Sequence, residues 1–178
     1  MNLRLYKIAA AVPLLLLFIG GLVVWKYDFP KSINLTYPAV EFRPGDPSTV
    51  DRTTVTIQGT LHRKLFRNQR FTGSIAIAKY EITKSTLFPV TFYEDLHEGW
   101  SSLTYLNGNT KTGAILVPSL LGFGSVWKIG AFESVKLLLT EPVGTGQGIG
   151  KDLEVMAPAT DYESALALDK LYQELNKK

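Results

Sequence analysis

The sequence contains no cysteine, which excludes disulfides, thiolate metal sites, cysteine nucleophiles and acylated-cysteine anchors. An excess of charge is also missing beyond residue 26. The chain has a formal net charge of +3, and Arg4, Lys7 and Lys26 lie in an N-terminal stretch that holds no acid. The remainder is therefore formally neutral. It lacks the positive charge with which nucleic-acid-binding proteins displace counterions from phosphates, so no nucleic-acid partner is expected.

Residues 8–25 carry no charged side chain and lie between Lys7 and Lys26. A helix of this length extends about 27 Å, close to the ~30 Å thickness of the hydrocarbon core of a bilayer. The end of this stretch and the residues after it, 22–30, offer no small-residue pair of the kind at which signal peptides are cleaved. These features predict an uncleaved transmembrane helix after a short tail, residues 1–7.

Positive charge sets the expected orientation of this helix. Arg4 and Lys7 precede the span, whereas the positive charge after it is partly offset by Asp28. Because positively charged flanks stay on the cytoplasmic side, the N-terminus is predicted to be cytoplasmic. The rest of the chain is then an extracytoplasmic domain attached to the plasma membrane, with the lipid bilayer as its first partner.

Prolines are concentrated directly after the span. Residues 26–51 include Pro30, Pro38, Pro44 and Pro47, and this composition predicts an extended spacer with one short strand at residues 34–42.

A period of two then begins. Residues 54–62 alternate apolar and polar side chains, and residues 71–77 repeat the alternation, which predicts an antiparallel hairpin. Residues 52–178 are therefore predicted to form a mainly β domain, an antiparallel sandwich or meander. Further strands are predicted at residues 88–93, 101–106, 112–117 and 132–140.

The end of the chain has helical rather than strand periodicity. Thr160 and Glu163 match a capping box, and an apolar stripe with a period near four residues follows them. One amphipathic helix is therefore predicted at residues 161–178, packed on the sheet.

The most distinctive local feature is a basic hairpin tip within residues 61–71. It holds Arg63, Lys64, Arg67 and Arg70. Such a surface attracts anionic lipid headgroups or an anionic envelope polymer by Coulomb attraction, an effect weakened by salt. The alternative is a solvated turn whose charges are balanced by acids elsewhere in the fold.

Other motifs fall short of a site. The glycine-rich residues 144–151 lack the spacing of a P-loop or a dinucleotide fingerprint and predict a flexible connection. Residues 94–98 contain three acids and a histidine, but their spacing matches no known metal motif. Trp100, Phe123 and Trp127 fit core packing better than a ligand groove. No catalytic residue, cofactor or metal site is therefore predicted.

Residues 55–59 (V-x-I-x-G), the pair Leu65 and Phe66, and residues 71–77 (F-x-G-x-I-x-I) resemble small membrane-anchored proteins of uncharacterised function in Gram-positive bacteria. The resemblance covers the span and residues 53–93. It implies a bacterial plasma-membrane location with the domain facing the cell wall, and it carries over no catalytic residue.

Together these features predict a non-catalytic binding or structural module of the cell envelope, with an envelope polymer or a membrane protein as partner. An enzyme acting on envelope carbohydrate or peptide is a second hypothesis, in which carboxylates or His97 are brought together only by the fold. A small regulatory subunit of a membrane complex is a third, in which the helix itself recognises a partner.

Overall fold

The computed structural model describes residues 13, 15–22, 27–63, 67–93, 99–107, 119–140 and 153–175. Within these ranges the chain is mainly β, with a helical stretch near the N-terminus and a longer helix at the C-terminus. The elements are α1 (residues 15–22), β1 (Pro30–Arg43), β2 (Asp46–His62), β3 (Gln69–Ile77), a 3₁₀ helix (Glu81–Lys84), β4 (Val90–Phe92), β5 (Ser101–Asn107), β6 (Ser119–Ile129), β7 (Ser134–Leu139), β8 (Leu153–Ala157) and α2 (Tyr162–Leu175).

The strands form one 8-stranded antiparallel sheet in the order β4-β3-β2-β1-β8-β7-β6-β5. Each strand therefore pairs with its neighbour in sequence, and β8 returns to pair with β1. The two edges also meet, because Leu87 forms an antiparallel bridge with Tyr105 and the Phe88 N–H donates to the Thr104 carbonyl at 2.9 Å. The sheet is thus nearly barrel-shaped, and the prediction of a mainly β antiparallel domain is confirmed.

None of the helices in the described part of the chain is long and apolar enough to cross a membrane. Residues 8–12, 14 and 23–25 of the span predicted from the sequence lie outside the described ranges. The transmembrane helix therefore stays a prediction.

Apolar side chains fill the interior of the sheet. The Phe132 ring packs edge-on against Phe71, at 4.9 Å between centroids, and against Phe92, at 5.7 Å. Tyr105 is also buried, and its hydroxyl donates to the Ile75 carbonyl at 2.7 Å, so its polar atom is satisfied. Because the interior is a packed core, binding groups are to be sought on the outer face and at the two ends.

Two glycines face each other where β2 and β3 bend. Gly59 and Gly73 are register partners with φ of +156° and +155°. A Cβ on Gly73 would lie 2.1 Å from the Gln58 carbonyl oxygen, and one on Gly59 would lie 2.3 Å from that of Thr72. Only glycine allows the two backbones to approach this closely, which permits the sheet to curl.

The region predicted as a spacer belongs instead to the sheet. Residues 30–43 form β1, and β2 already begins at Asp46. Pro38 is tolerated within β1 because its carbonyl accepts from the Ala159 N–H at 3.0 Å, on the side of β1 away from β2. The missing N–H of Pro38 would point to the same side, so no hydrogen bond to β2 is lost.

Helix α2 covers the outer face of β1 and β8, as the predicted packing of the C-terminal helix on the sheet requires. Val40, Phe42 and Met156 of these strands are buried with Ala165 of the helix. The Tyr162 ring meets Phe42 edge-on at 5.5 Å between centroids.

The N-cap of this helix differs from the prediction. The Ser164 N–H donates to Asp161 Oδ1 at 2.8 Å, and the Asp161 N–H donates to Ser164 Oγ at 3.1 Å. Asp161 and Ser164 therefore form the reciprocal cap that the sequence assigned to Thr160 and Glu163. An aspartate accepts this hydrogen bond at least as well as a threonine, and it lies one residue closer to the helix.

A buried ionic network fixes α2 to the sheet. Lys136 of β7 donates to Asp169 of the helix at 2.6 Å and lies 2.8 Å from a Glu154 carboxylate oxygen on β8. Beside it, the Tyr172 and Ser134 hydroxyls are hydrogen-bonded at 3.0 Å.

Candidate anion-binding site

Strands β1, β3, β5 and β7 begin, and β2, β4, β6 and β8 end, at one end of the sheet, which we call the N-terminal end. Asp28, immediately before β1, reaches this end, and so do His62 at the end of β2 and Gln69 at the start of β3. The polypeptide enters the sheet here from residues 1–26. The basic hairpin tip lies at the same end because it connects β2 to β3.

Two of the four basic residues predicted for anionic contact lie in one surface cavity. Arg67 and Arg70 line a cavity of about 380 Å³ together with polar side chains. Arg63 instead lies directly after β2, where its backbone N–H donates to the Asp28 carbonyl at 3.1 Å. Lys64 is outside the described residues. The full lining is Asp28, His62, Arg67, Asn68, Arg70, Thr72 and Thr91.

The register of the sheet assembles this lining. His62 of β2 is opposite Arg70 of β3, and Arg70 is opposite Thr91 of β4. The alternation that buries Leu61 and Phe71 turns the side chains of this row outward. Thr72 lies two residues beyond Arg70 and therefore points to the same face. The cavity is a direct product of the period-two pattern that builds the core.

Asp28, His62 and Thr72 form a hydrogen-bonded chain along one wall. The distance from His62 Nδ1 to Asp28 Oδ2 is 2.6 Å, and that from His62 Nε2 to Thr72 Oγ1 is 3.0 Å. Since an ionised carboxylate only accepts, the proton of the imidazole lies on Nδ1. In the neutral ring Nε2 then accepts from the Thr72 hydroxyl, and in the protonated ring it donates to that oxygen.

Among the described residues, the Asp28 carboxylate has one hydrogen bond, which joins its Oδ2 to His62 Nδ1. Its Oδ1 is buried and accepts no hydrogen bond from the residues that the structure describes. The side chains of His62 and Asp28 are 27% and 38% exposed, so this hydrogen-bonded pair is partly buried. The contact therefore attaches the segment before β1 to the end of β2.

The charge in the cavity is positive. Arg67 and Arg70 carry two positive charges against one negative charge on Asp28, and a protonated His62 adds another positive charge. The side chain of Arg70 is exposed and makes no hydrogen bond or ion pair with another described residue. Guanidinium groups match the planar spacing of phosphate and carboxylate oxygens, and the hydroxyl of Thr91 is an additional donor. The arrangement suits a small oxyanion.

A second charged cluster, at the opposite end, is paired internally. Lys79 donates to Glu41 at 2.5 Å and to Asp51 at 2.7 Å, and the Tyr80 hydroxyl donates to the other Glu41 oxygen at 2.6 Å. Burial alone would lower the pKa of Lys79, but the hydrogen bonds to Asp51 and Glu41 raise it above its usual value. This cluster neutralises the buried Glu41 and leaves no open positive charge for a ligand.

The aromatic residues considered for a groove do not share one. Trp100 and Trp127 lie together, with ring centroids 6.4 Å apart. Phe123 instead packs against Tyr80 at 5.3 Å and against Tyr105 at 5.7 Å, in contact with the core.

Two other sequence features lie outside the described residues, namely the acidic residues 94–98 and the glycine-rich residues 144–151. In the part of the chain that is described, no group of three or more His, Asp or Glu side chains could hold a metal ion.

Sequence reasoning selected the arginines and missed Asp28, His62 and Thr72 as their neighbours. The signal for His62 was present, since it continues the polar half of the β2 alternation into the basic tip. Thr72 occupies the equivalent half of β3. No local pattern identified Asp28, because its contact with His62 joins residues 34 positions apart.

The fold and the cavity together define a single-sheet, barrel-shaped antiparallel β domain with a packed interior and a basic polar site on its outer face. No protein-family model, no curated protein and no solved structure matches the chain. The function is therefore argued from the residues of the cavity alone.

Proposed function

We propose that this protein is a membrane-anchored binding module of the cell envelope, which holds a small anionic group in the cavity at the N-terminal end of its sheet. Residues 8–25 would be the anchor, with the N-terminus cytoplasmic and the β domain extracytoplasmic. The observation that carries the proposal is the exposed Arg70, whose side chain makes no hydrogen bond or ion pair with another described residue, in the wall of a cavity that the Thr91 side chain also lines. The proposed role is binding without turnover.

The expected affinity follows from the number of strong donors. A hydrogen bond from a charged group contributes about 1.5–3 kcal/mol, so the two that the Arg70 guanidinium can donate in a bidentate contact provide roughly 3–6 kcal/mol before other donors are counted. A small free oxyanion should therefore bind with a Kd of about 1 mM or somewhat below, for which the binding free energy is about −4 kcal/mol. Physiological affinity would require additional contacts from the remainder of a larger ligand.

The test is a titration of the full-length chain with inorganic phosphate in an uncharged, phosphate-free detergent. The Nε–H resonances of the arginines are followed by NMR in the wild type, in Arg70→Gln and in the control Arg52→Gln, which removes an exposed arginine of β2 outside the cavity. We expect a saturable shift at Arg70 in the wild type and in Arg52→Gln. Loss of one charged donor should weaken binding about tenfold or more in Arg70→Gln. An unshifted Arg70, or equal affinity in all three proteins, would contradict the proposal.

The chain of Asp28, His62 and Thr72 favours a second candidate, a hydrolytic enzyme. A histidine that is oriented by a carboxylate and bonded to a hydroxyl is the arrangement that activates serine and threonine nucleophiles. In such a step Thr72 Oγ1 would bond to the carbonyl carbon of an ester while its proton moves to His62 Nε2, and that proton would pass to the departing alkoxide as the ester C–O bond breaks. Water would then release the acyl group from Thr72. Hydrolysis of an activated ester that survives in Thr72→Ser but is lost in Thr72→Val and His62→Asn would support this candidate. Equal background rates in all variants would exclude it.

A further inference from the structure

We infer that the anionic group held in the cavity is the phosphate of a lipid headgroup in the membrane to which the chain is anchored. The inference rests on the proposed function, because it names the source of the anion for the same site. It commits to lipid and not to a soluble phosphate-bearing polymer. Three features of the N-terminal end lead to it: a short connection to the predicted span, exposed aromatic rings, and donors directed into a cavity rather than spread over a surface.

The connection limits how far the cavity can lie from the bilayer. The predicted span ends at residue 25, and three residues later Asp28 is bound to His62 of the sheet. An extended chain covers at most about 3.6 Å per residue, so the Cα of Asp28 lies within about 11 Å of the end of the span. The headgroup region on each side of the hydrocarbon core is roughly 5–8 Å thick. The wall of the cavity is therefore in or immediately next to the headgroups.

This short connection is also held in place at more than one point. The Asp28 carboxylate contacts His62 at 2.6 Å, and the Arg63 N–H donates to the Asp28 carbonyl at 3.1 Å. Because side chain and backbone are both engaged, the segment cannot swing as a free linker without breaking contacts to β2. The N-terminal end of the sheet is therefore expected to keep facing the bilayer.

Exposed aromatic rings lie at the same end. Tyr27 and Phe29 are 53% and 37% exposed and pack edge-on at 4.6 Å between centroids. Tyr93, directly after β4, is 41% exposed. Tyrosine is enriched at the boundary between headgroups and water, where its ring is partly dehydrated and its hydroxyl stays wet. If this end of the sheet touches the membrane, these exposed rings would be partly removed from water by the headgroup layer.

Net charge does not carry the inference. The connection between β4 and β5 lies outside the described residues, and its sequence includes Glu94, Asp95 and Glu98. These acids offset basic residues from the hairpin tip, so broad attraction to anionic lipid would be weak. The guanidinium of Arg70 in the cavity wall acts at short range and selects one phosphate, which anionic and zwitterionic phospholipids both provide.

The experiment measures nitrogen–phosphorus proximity by solid-state NMR. Full-length protein with ¹⁵N-labelled arginine is placed in phosphatidylglycerol vesicles, and the dephasing of guanidinium nitrogens by lipid ³¹P is recorded for the wild type, Arg70→Gln and Arg52→Gln. We expect a strongly dephased signal that disappears in Arg70→Gln and remains in Arg52→Gln. Because Arg70 and Arg52 are both exposed, neither substitution should unfold the domain, and circular dichroism checks this.

The outcomes separate the two proposals. If Arg70 is not dephased in the vesicles but still responds to inorganic phosphate in the phosphate-free detergent, the lipid inference is wrong and the anion-binding function stands. If Arg70 responds in neither setting, both fail. If dephasing is unchanged in Arg70→Gln, the contact belongs to another arginine, and the lipid inference is overturned.

Discussion

Replacing Lys136 with methionine should destabilise the domain strongly. The loss should be larger than that caused by the same substitution at any other lysine of the C-terminal helix or of the strands beneath it. The Lys136 side chain is 15% exposed and lies between the carboxylates of Glu154 and Asp169, which are 9% and 7% exposed. Methionine keeps the length of the side chain and much of its apolar packing. The variant therefore removes the cation that contacts both of these buried carboxylates.

The magnitude follows from that geometry. Removing one partner of a buried ion pair costs about 3–5 kcal/mol, because the remaining charge stays desolvated. For a domain of this size, 1 kcal/mol corresponds to about 2–4 °C in Tm, so the variant should melt roughly 6–20 °C lower. The cost is a large part of the total stability of a domain, which is about 5–15 kcal/mol.

The assay is urea and thermal unfolding of the full-length chain in uncharged detergent, followed by circular dichroism. Lys170→Met is the matched control, since Lys170 is exposed on the same helix and should change stability by less than about 0.5 kcal/mol. The triple variant Lys136→Met, Glu154→Gln, Asp169→Asn removes all three charges and should recover much of the loss. A Lys136→Met protein as stable as Lys170→Met would refute the reasoning that this network is desolvated.

Two further perturbations test α2. Asp161→Ala should lower the free energy of unfolding by about 1 kcal/mol because it removes the N-cap, whereas Thr160→Ala should lower it clearly less. If urea unfolding shows the reverse order, Thr160 is the N-cap, as the sequence predicted. Burial raises the pKa of Tyr172 to about 12 from its ordinary value of 10.0. The neutral phenol is therefore favoured in the folded state, so its stabilisation is complete below pH 10 and is lost as the pH rises towards 12. Tyr172→Phe should weaken this alkaline loss, by up to about 3 kcal/mol, and an unchanged pH profile of unfolding would show that Tyr172 ionises freely in the folded protein.

Local periodicity was sufficient to predict the hairpin and the C-terminal helix. The polar and apolar alternation of β2 and β3 appears in the structure as the register that pairs Ile57 with Ile75 and Leu61 with Phe71. The stripe in α2 likewise buries Ala165 and Tyr172 against the sheet. One face of each of these elements is buried and the other is exposed. The order of apolar and polar residues in the sequence therefore shows which face packs on the core.

The sequences of two other strands, β8 and β6, do not show a regular alternation of apolar and polar residues. All residues of β8, Leu153–Ala157, are buried, because the core covers one face and α2 covers the other. A strand covered on both faces does not alternate, and its buried Glu154 forms an ion pair with Lys136. In β6 the register shifts at Phe123, which interrupts the period of two. Residues 112–117, where a strand was predicted, lie outside the described ranges.

The cavity shows why a site can be harder to predict than the fold that carries it. A slip of one residue between β2 and β3 would turn His62 inward and separate it from Thr72, so the site depends on a register that only the packed core enforces. The local excess of basic residues identified the hairpin tip. Only Arg67 and Arg70 of that tip line the cavity, whereas Arg63 lies at the end of β2. What joins the wall to the predicted anchor is Asp28, through contacts with His62 and Arg63. Because one residue both lines the cavity and attaches the segment that leaves the sheet, the same contact would couple the position of the proposed anion to that of the predicted membrane anchor.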